Sequence, residues 1–398
     1  MRQYVGYLSC IFVGITLGLS ITLASQENTR TTEAEYSYPL LLDILETIET
    51  YYVDQVSEQQ LIQAAIKGIF TELDPYSTFL APDQLLDLQQ SNKGEYFGFG
   101  LEIDTNDGLI TVVAPYPNSP AAAANIKSGD HIIKLNDAEI TADNLTEVLA
   151  LIRLHGQTKQ TINLTLDRKG QIEPVNLALT PAKIIVDSMK AQLIDDIAYL
   201  KLTSFQESSH DEISAQLKLW QQQPIKGIIL DLRNNPGGLL DQAISIADLF
   251  LDNGRIVSTE GRIYDANSEY FASKDTLYAN TPMIVLINQG SASAAEVLAA
   301  ALQENNRAKL LGQKSFGKGT VQSLIPTLID GNAIKLTIAK YNTPSGSNIH
   351  KIGIEPDIKV NIGQVDLETE TLISTETSAN IEDDYLVNSA IIWLKSNN

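Results

Sequence analysis

Two serines and a lysine carry the chemistry that this 398-residue sequence offers most plainly. The run Asn288-Gln-Gly-Ser-Ala-Ser-Ala-Ala-Glu-Val-Leu298 follows the apolar stretch Met283–Ile287, which reads as a buried strand. Gly290 breaks the chain, and Ala294 to Gln303 has the composition of a helix. A serine at such a strand-to-helix turn lies among backbone N–H groups that the first helical turn leaves unpaired, and donors of that kind stabilise an oxyanion. Ser291 and Ser293 are both candidate nucleophiles. A serine hydroxyl needs a base, and none of the four histidines, His131, His155, His210 and His350, lies in a comparable turn. The alternative base is a neutral lysine, because burial disfavours the ammonium form. Ser315-Phe-Gly-Lys-Gly-Thr-Val-Gln322 supplies one. Lys318 stands between two glycines that let backbone approach closely, ahead of a strand-like run from Thr320 to Ile325. The bland alternatives are an ordinary helix N-cap and a solvated loop tip.

Gly290-Ser-Ala-Ser-Ala-Ala-Glu296 followed by Phe316-Gly-Lys-Gly-Thr-Val-Gln322 resembles the carboxyl-terminal processing peptidases, the tail-specific serine proteases of peptidase family S41, which use a serine/lysine dyad. The resemblance implies Ser293 as nucleophile, Lys318, 25 residues later, as its base, and Gln322 as the residue that orients the lysine. Asp231-Leu-Arg-Asn-Asn-Pro-Gly-Gly238 is similar to a second hallmark of the family. It implies an oxyanion hole made by the backbone N–H of Gly238, or of Gly237, together with that of Ala294. Two positions depart from the family pattern: Ala295, where relatives often carry serine, and Ser347, where they often carry arginine. Glu296 reads as structural. Asp231 and Arg233 read as a pair bonded to each other or to the backbone.

These residues need a scaffold, and the rest of the chain supplies candidates in order. A net charge of −21 argues against nucleic acid and acidic membrane surfaces as partners. A single cysteine, Cys10, excludes an intrachain disulfide. Residues 1–25 hold an apolar run, 5–24, behind Arg2, the pattern of a signal peptide or a signal anchor in an inner membrane. A polar connector, 26–35, leads to a helical region, 36–93, with apolar residues at three- and four-residue spacing. Short strands dominate 94–182. There Phe97-Gly-Phe-Gly-Leu101, Ser119-Pro120, Ile126 and Gly129-Asp130 resemble a PDZ domain, with Phe97, Gly98, Phe99, Gly100 and Leu101 matching its carboxylate-binding loop. Asn125 stands where that family commonly has glycine, and asparagine tolerates the left-handed backbone the turn needs. Strands and helices alternate over 183–365, the pattern of an α/β core. Gly261 to Thr281 reads as a polar loop. Residues 366–398 read as an acidic linker through Asp384 followed by a helix with an apolar stripe.

The expected fold is therefore α/β: a crotonase-like (ClpP/crotonase-type) serine protease core with an inserted PDZ domain and a helical N-terminal region. The expected activity is that of an exported serine endopeptidase, in or facing the periplasm, whose PDZ domain recognises the C-terminal region of its substrates. Protein or peptide substrates with free C-termini, an adaptor or activator protein and further copies of the chain are the expected partners, and no metal or cofactor is implied. The alternative is a catalytically silent PDZ-containing protein that binds C-terminal peptides.

Overall fold

A computed structural model of the chain describes residues 38–105, 108–274, 276–327, 331–360 and 384–397. The apolar run 5–24, the connector 26–35 and the linker up to 383 lie outside the described residues. Among the described residues no helix is long and apolar enough to cross a membrane. The chain divides into two units, one ending at Phe79 and the other beginning at Leu80.

The first unit carries helices α1 (Tyr38–Tyr51) and α2 (Glu58–Thr71). Ser57 starts α2 through a capping box: its hydroxyl accepts from the Gln60 N–H, and the Gln60 side chain accepts from the Ser57 N–H. Neither helix has a buried residue.

The second unit opens with α3 (Pro82–Lys93), which ends on Gly94 in the left-handed conformation that suits a helix C-terminus. A small β domain follows: β1 (Glu95–Gly98), β2 (Leu101–Asp104), β3 (Ile110–Pro115), α4 (Pro120–Ala123), β4 (His131–Leu135), β5 (Ala138–Glu139), α5 (Leu145–Gln157), β6 (Ile162–Asp167), β7 (Val175–Leu179) and β8 (Ala182–Ile185). Strands β2-β3-β4-β6-β7 form one antiparallel sheet, with β5 paired to β4. Alternate residues such as Ile162, Leu164 and Leu166 enter one core with Phe99, Ile110, Ile126 and Val148. Strands β1 and β8 pair with each other as the two ways in and out of this domain.

The remaining elements are β9 (Met189–Ile194), β10 (Ile197–Leu202), α6 (Ser209–Trp220), β11 (Gly227–Asp231), α7 (Leu240–Asp248), β12 (Arg255–Gly261), β13 (Ser268–Phe271), β14 (Met283–Ile287), α8 (Ala294–Glu304), β15 (Lys309–Gly312), β16 (Thr320–Pro326), β17 (Ala333–Asn342), β18 (Ile358–Lys359) and α9 (Tyr385–Ser396). The central sheet runs β9-β10-β11-β14-β15-β18, parallel from β10 onward. Its inner strands β11 and β14 are buried on both faces, so they read as unbroken apolar runs. Leu200, Leu230 and Val285 face the core shared with residues of α6, α7 and α8. Tyr199, Ile229, Ile284 and Leu286 face the opposite way, onto Leu386, Val387, Ala390 and Leu394 of α9. A second sheet contains β17-β12-β13, with β16 paired to β17.

Two expectations need correction. The stretch Gly261–Thr281 is not all loop: Ser268–Phe271 is a strand, drawn into the sheet by pairing with β12, a long-range contact that its polar surroundings conceal. Asp384 is not linker. It is buried and caps α9, accepting from the Leu386 and Val387 N–H groups.

Candidate active site

Strands β11 and β14 are parallel neighbours in register, Asp231 beside Leu286, so the turns that leave their carboxyl ends meet. That end of a parallel sheet is where α/β proteins place sites. The turn after β14 carries both candidate serines. Ser291 is fully buried, and its hydroxyl donates to the Leu232 carbonyl (2.8 Å) while accepting from the Asn288 N–H (3.0 Å). It stitches the two turns together. Ser293 differs. It sits at the N-cap of α8 with φ 57° and ψ −116°, a strained conformation for a residue with a side chain, and its hydroxyl makes no cap hydrogen bond. That hydroxyl instead meets the buried Tyr341, whose pKa is raised mainly by burial while the hydrogen bond to Ser293 pulls the other way.

The turn after β11 packs against Ser293. A Cβ added to Gly237 would stand 2.8 Å from the Ala292 carbonyl oxygen, 2.9 Å from Ser293 Cβ and 3.0 Å from the Ala294 nitrogen. Only glycine fits there, at φ 102°. Asn235, fully buried, organises this turn. Its amide donates to the Leu202 carbonyl, its side-chain oxygen accepts from the Gly237 N–H (2.9 Å), and its backbone carbonyl accepts from the Ala292 N–H (2.9 Å). The Gly237 N–H is thus engaged. Neither the Gly238 nor the Ala294 N–H donates to another described residue.

The lysine segment is joined to the nucleophile turn by a carboxylate. Glu296 is fully buried on the first turn of α8. Its Oε2 accepts from the Ser293 N–H and the Lys318 N–H, each at 2.8 Å. Its Oε1 accepts from the Gly317 N–H (2.7 Å) and the Ser315 hydroxyl (2.5 Å), and Ser315 in turn accepts from the Ile354 N–H. Four donors satisfy a charge that would otherwise be costly to bury. The Phe316 N–H donates to the Ser291 carbonyl, and the Tyr341 N–H to the Gly319 carbonyl, so the segment is held on both sides of Lys318. Lys318 is half-buried. Gln322 lies on β16 at a register shift opposite β17, a device that re-aims side chains. Its amide donates to the Thr320 and Thr337 hydroxyls. Sequence reasoning passed over Asn235 and Tyr341 and read Glu296 as structural. The Ser-x-x-Glu spacing of a capping box was the available signal for Glu296; nothing local marks Tyr341.

A cavity of about 470 Å³ lies beside α5 and the Phe97–Leu101 segment, lined by Phe99, Leu101, Ile103, Ile132, Leu149 and Ile152. Of the five residues expected as a loop, Phe97 and Gly98 end β1, Leu101 begins β2, and only Phe99 and Gly100 lie between strands. Gly100 has φ 73°, and the Ser119 hydroxyl bonds its carbonyl. Asn125 takes the expected left-handed conformation, φ 58°. Arg168 clamps the adjoining turn by a two-pronged bond to Asp130 and a third to the Asn125 carbonyl.

The sequence pattern described as peptidase family S41 matches residues 196–360, and that of the PDZ domain matches residues 98–179. A carboxy-terminal-processing protease of Bartonella bacilliformis is 40% identical over 367 residues, 90% of this chain and 83% of that one. A carboxyl-terminal-processing protease of Synechocystis sp. is 37% identical over 317 residues, 78% and 73% of the two chains. In structure, a putative S41 protease from Bacteroides fragilis superposes with a TM-score of 0.54 at 16% identity, covering 93% of this chain and all of that one, which shows a shared fold. With a PDZ domain ahead of a peptidase domain, and with identity of this extent, the chain belongs to peptidase family S41, among the carboxy-terminal-processing proteases, and is a serine peptidase.

Proposed function

We propose that the chain is an exported endopeptidase that cuts protein substrates recognised through their C-terminal region, using Ser293 as nucleophile and Lys318 as base. The observation that carries this reading is the pair of hydrogen bonds by which Glu296 Oε2 holds the backbone of Ser293 and of Lys318. Neutral Lys318 takes the Ser293 hydroxyl proton as Oγ attacks the scissile carbonyl carbon. The carbonyl oxygen gains the π electrons and is held by the N–H groups of Gly238 and Ala294, the two that no described residue engages. As the tetrahedral centre collapses, the C–N bond breaks and Lys318 returns its proton to the leaving amine. Water then attacks the ester, Lys318 takes a proton from it, and the acid leaves as Ser293 recovers its own. Gln322, held by two threonine hydroxyls, orients the lysine. No step calls for a metal or cofactor.

The domain assignment is 94–182 as the PDZ module and 183–365 as a crotonase-like core, with 36–93 as a helical region, 1–25 as the export signal or inner-membrane anchor and 366–398 as linker and terminal helix. The Phe97–Leu101 loop receives the substrate carboxylate, and the apolar groove beside it supports an apolar last residue. The compartment is the periplasm or the periplasmic face of the inner membrane, and the enzyme works as a homo-oligomer with an adaptor or activator. Digestion of casein by the wild type, but by neither Ser293→Ala nor Lys318→Ala, is the expected result. Equal digestion by all three would sink the mechanism.

A further inference from the structure

Asp384 does more than a helix cap requires. Its carboxylate accepts from the Leu386 and Val387 N–H groups at the start of α9. The same carboxylate accepts two bonds from Arg233, from Nη1 at 3.1 Å and Nη2 at 2.8 Å. The other side of that guanidinium forks onto Asp231, from Nε at 2.9 Å and Nη2 at 2.6 Å. Arg233, Asp231 and Asp384 are all buried. Asp231 cannot yield, because it lies in β11, receives the Tyr199 hydroxyl at 2.7 Å and also holds the Arg233 N–H.

Arg233 is a corner of the turn Leu232–Asn235, which the Asn235 N–H closes onto the Leu232 carbonyl. The next corner, Asn234, has φ 58° and exchanges two bonds with Asn288 of the nucleophile turn. Asn235, at the end of the turn, is the residue that fixes both the Gly237 N–H and the Ala292 N–H. A shift of Arg233 therefore reaches both walls of the oxyanion site within two residues. Without Asp384, the Nη1 and Nη2 donors on one edge of a buried guanidinium lose their acceptors, and unpaired buried donors are costly enough to move the side chain towards water.

We propose that Asp384 is a positioning residue for peptide hydrolysis: through Arg233, the terminal helix α9 holds the turn that presents the Gly238 N–H beside Ser293. The proposal rests on the oxyanion assignment made above. The chain's last helix is in this sense part of the active site's frame, although it lies on the far face of the central sheet.

The test uses the full-length protein and three variants. Asp384→Ser keeps a good N-cap but is too short to reach Arg233. Asp384→Asn is the milder change and is read in the same way. Leu394→Ala loosens the docking of α9 at its other end, where Leu394 is fully buried, and does not touch Arg233. Active sites are counted by labelling Ser293 with a fluorophosphonate, so that rates refer to folded enzyme. A peptide aldehyde, whose adduct with Ser293 places its oxygen in the hole, reports the oxyanion contacts separately. For Asp384→Ser, kcat per labelled site should fall about tenfold or more, with aldehyde affinity falling in step. KM should stay within about twofold, and Leu394→Ala should keep kcat per labelled site although its melting temperature drops. An unchanged kcat per labelled site in Asp384→Ser would overturn the proposal. So would an equal loss in Leu394→Ala, or substrate and aldehyde affinities falling by one factor. A wild type that does not label at Ser293 would defeat the dyad reading itself, and this proposal with it.

Discussion

The N–H groups of Ser293 and Lys318, 25 residues apart in sequence, donate to one atom, Glu296 Oε2, each at 2.8 Å. A single carboxylate thus sets how the nucleophile's and the lysine's backbones stand to each other. Glutamine at this position has one acceptor oxygen, and its NH2 group would face two of the four donors. Glu296→Gln should lose roughly 2–6 kcal/mol of stability, read by denaturant melts, because each of the two unsatisfied buried donors costs about 1–3 kcal/mol. Its kcat should fall by about a hundredfold, since a misplacement of about 1 Å is enough for that. Full activity in the folded variant would refute the coupling.

The two serines should separate by kind of damage. Ser291→Ala removes one of the two donors to the Leu232 carbonyl and the acceptor of the part-buried Asn288 N–H, so it should cost about 1–3 kcal/mol while folded molecules keep most of their kcat. Ser293→Ala should lose less stability, since its hydroxyl caps no helix N–H and gives up only its bond to the Tyr341 hydroxyl, yet it should abolish cleavage. Parallel melts and casein assays on the two variants give the comparison. Loss of cleavage with normal stability in Ser291→Ala would reverse the assignment.

Gly237→Ala tests the fit between the turns. Its Cβ would meet backbone atoms of Ala292 and Ala294 and the Cβ of Ser293 at 2.8–3.0 Å, at a φ of 102°. Backbone cannot step aside as a flexible side chain can, so the nucleophile turn must shift. The expected outcome is a kcat loss of about a hundredfold or more with a KM changed far less. A KM effect alone would mean that this turn binds substrate and does not shape the reacting centre.

What the sequence disclosed, and what it hid, follows from the range of each signal. Met283–Ile287 and Gly227–Asp231 were legible as strands because burial on both faces leaves an unbroken apolar run. The turn at Asn125 was legible because few residues accept φ 58°. Tyr341 was not, because its contact with Ser293 joins residues 48 apart that share no local pattern. Asp384 was hidden for the opposite reason: it ends an acidic stretch whose composition reads as solvated, and only Arg233, 151 residues earlier, makes it a buried partner.

The Arg233–Asp384 contact should also give stability a pH signature. Burial alone would raise the Asp384 pKa, but the Arg233 hydrogen bonds and charge outweigh it and hold the carboxyl below its usual value. A lowered folded-state pKa means that the contribution is complete above the unfolded value, near pH 4, and is lost as pH falls through the folded value. Acid melts of the wild type should therefore steepen below about pH 4, and Asp384→Asn should remove part of that slope. An identical acid profile in the variant would show that the pair adds nothing to folding.

The groove makes the last prediction. Gly156 lies in the final turn of α5, and a Cβ there would stand 3.1 Å from the Phe97 carbonyl oxygen and 3.2 Å from Gly98 Cα. Gly156→Ala gains about 1 kcal/mol in helix propensity, so the helix itself should not suffer. The contact is tight, however, and the neighbour is backbone, so α5 and the Phe97–Leu101 loop must part by a few tenths of an ångström. Convergent N–H groups bind a carboxylate only while they converge, and the apolar wall formed by Leu149 and Ile152 moves with the helix. Affinity for a peptide with a free C-terminus should drop about tenfold, and the same peptide as its C-terminal amide should lose much less. Cleavage of a short peptide that never reaches the groove should be unaffected in the same variant. Fluorescence anisotropy with the two peptides on Ser293→Ala enzyme, which binds without cutting, measures the difference. If both affinities stay as they were, the carboxylate is held elsewhere, and the loop's glycines serve packing alone.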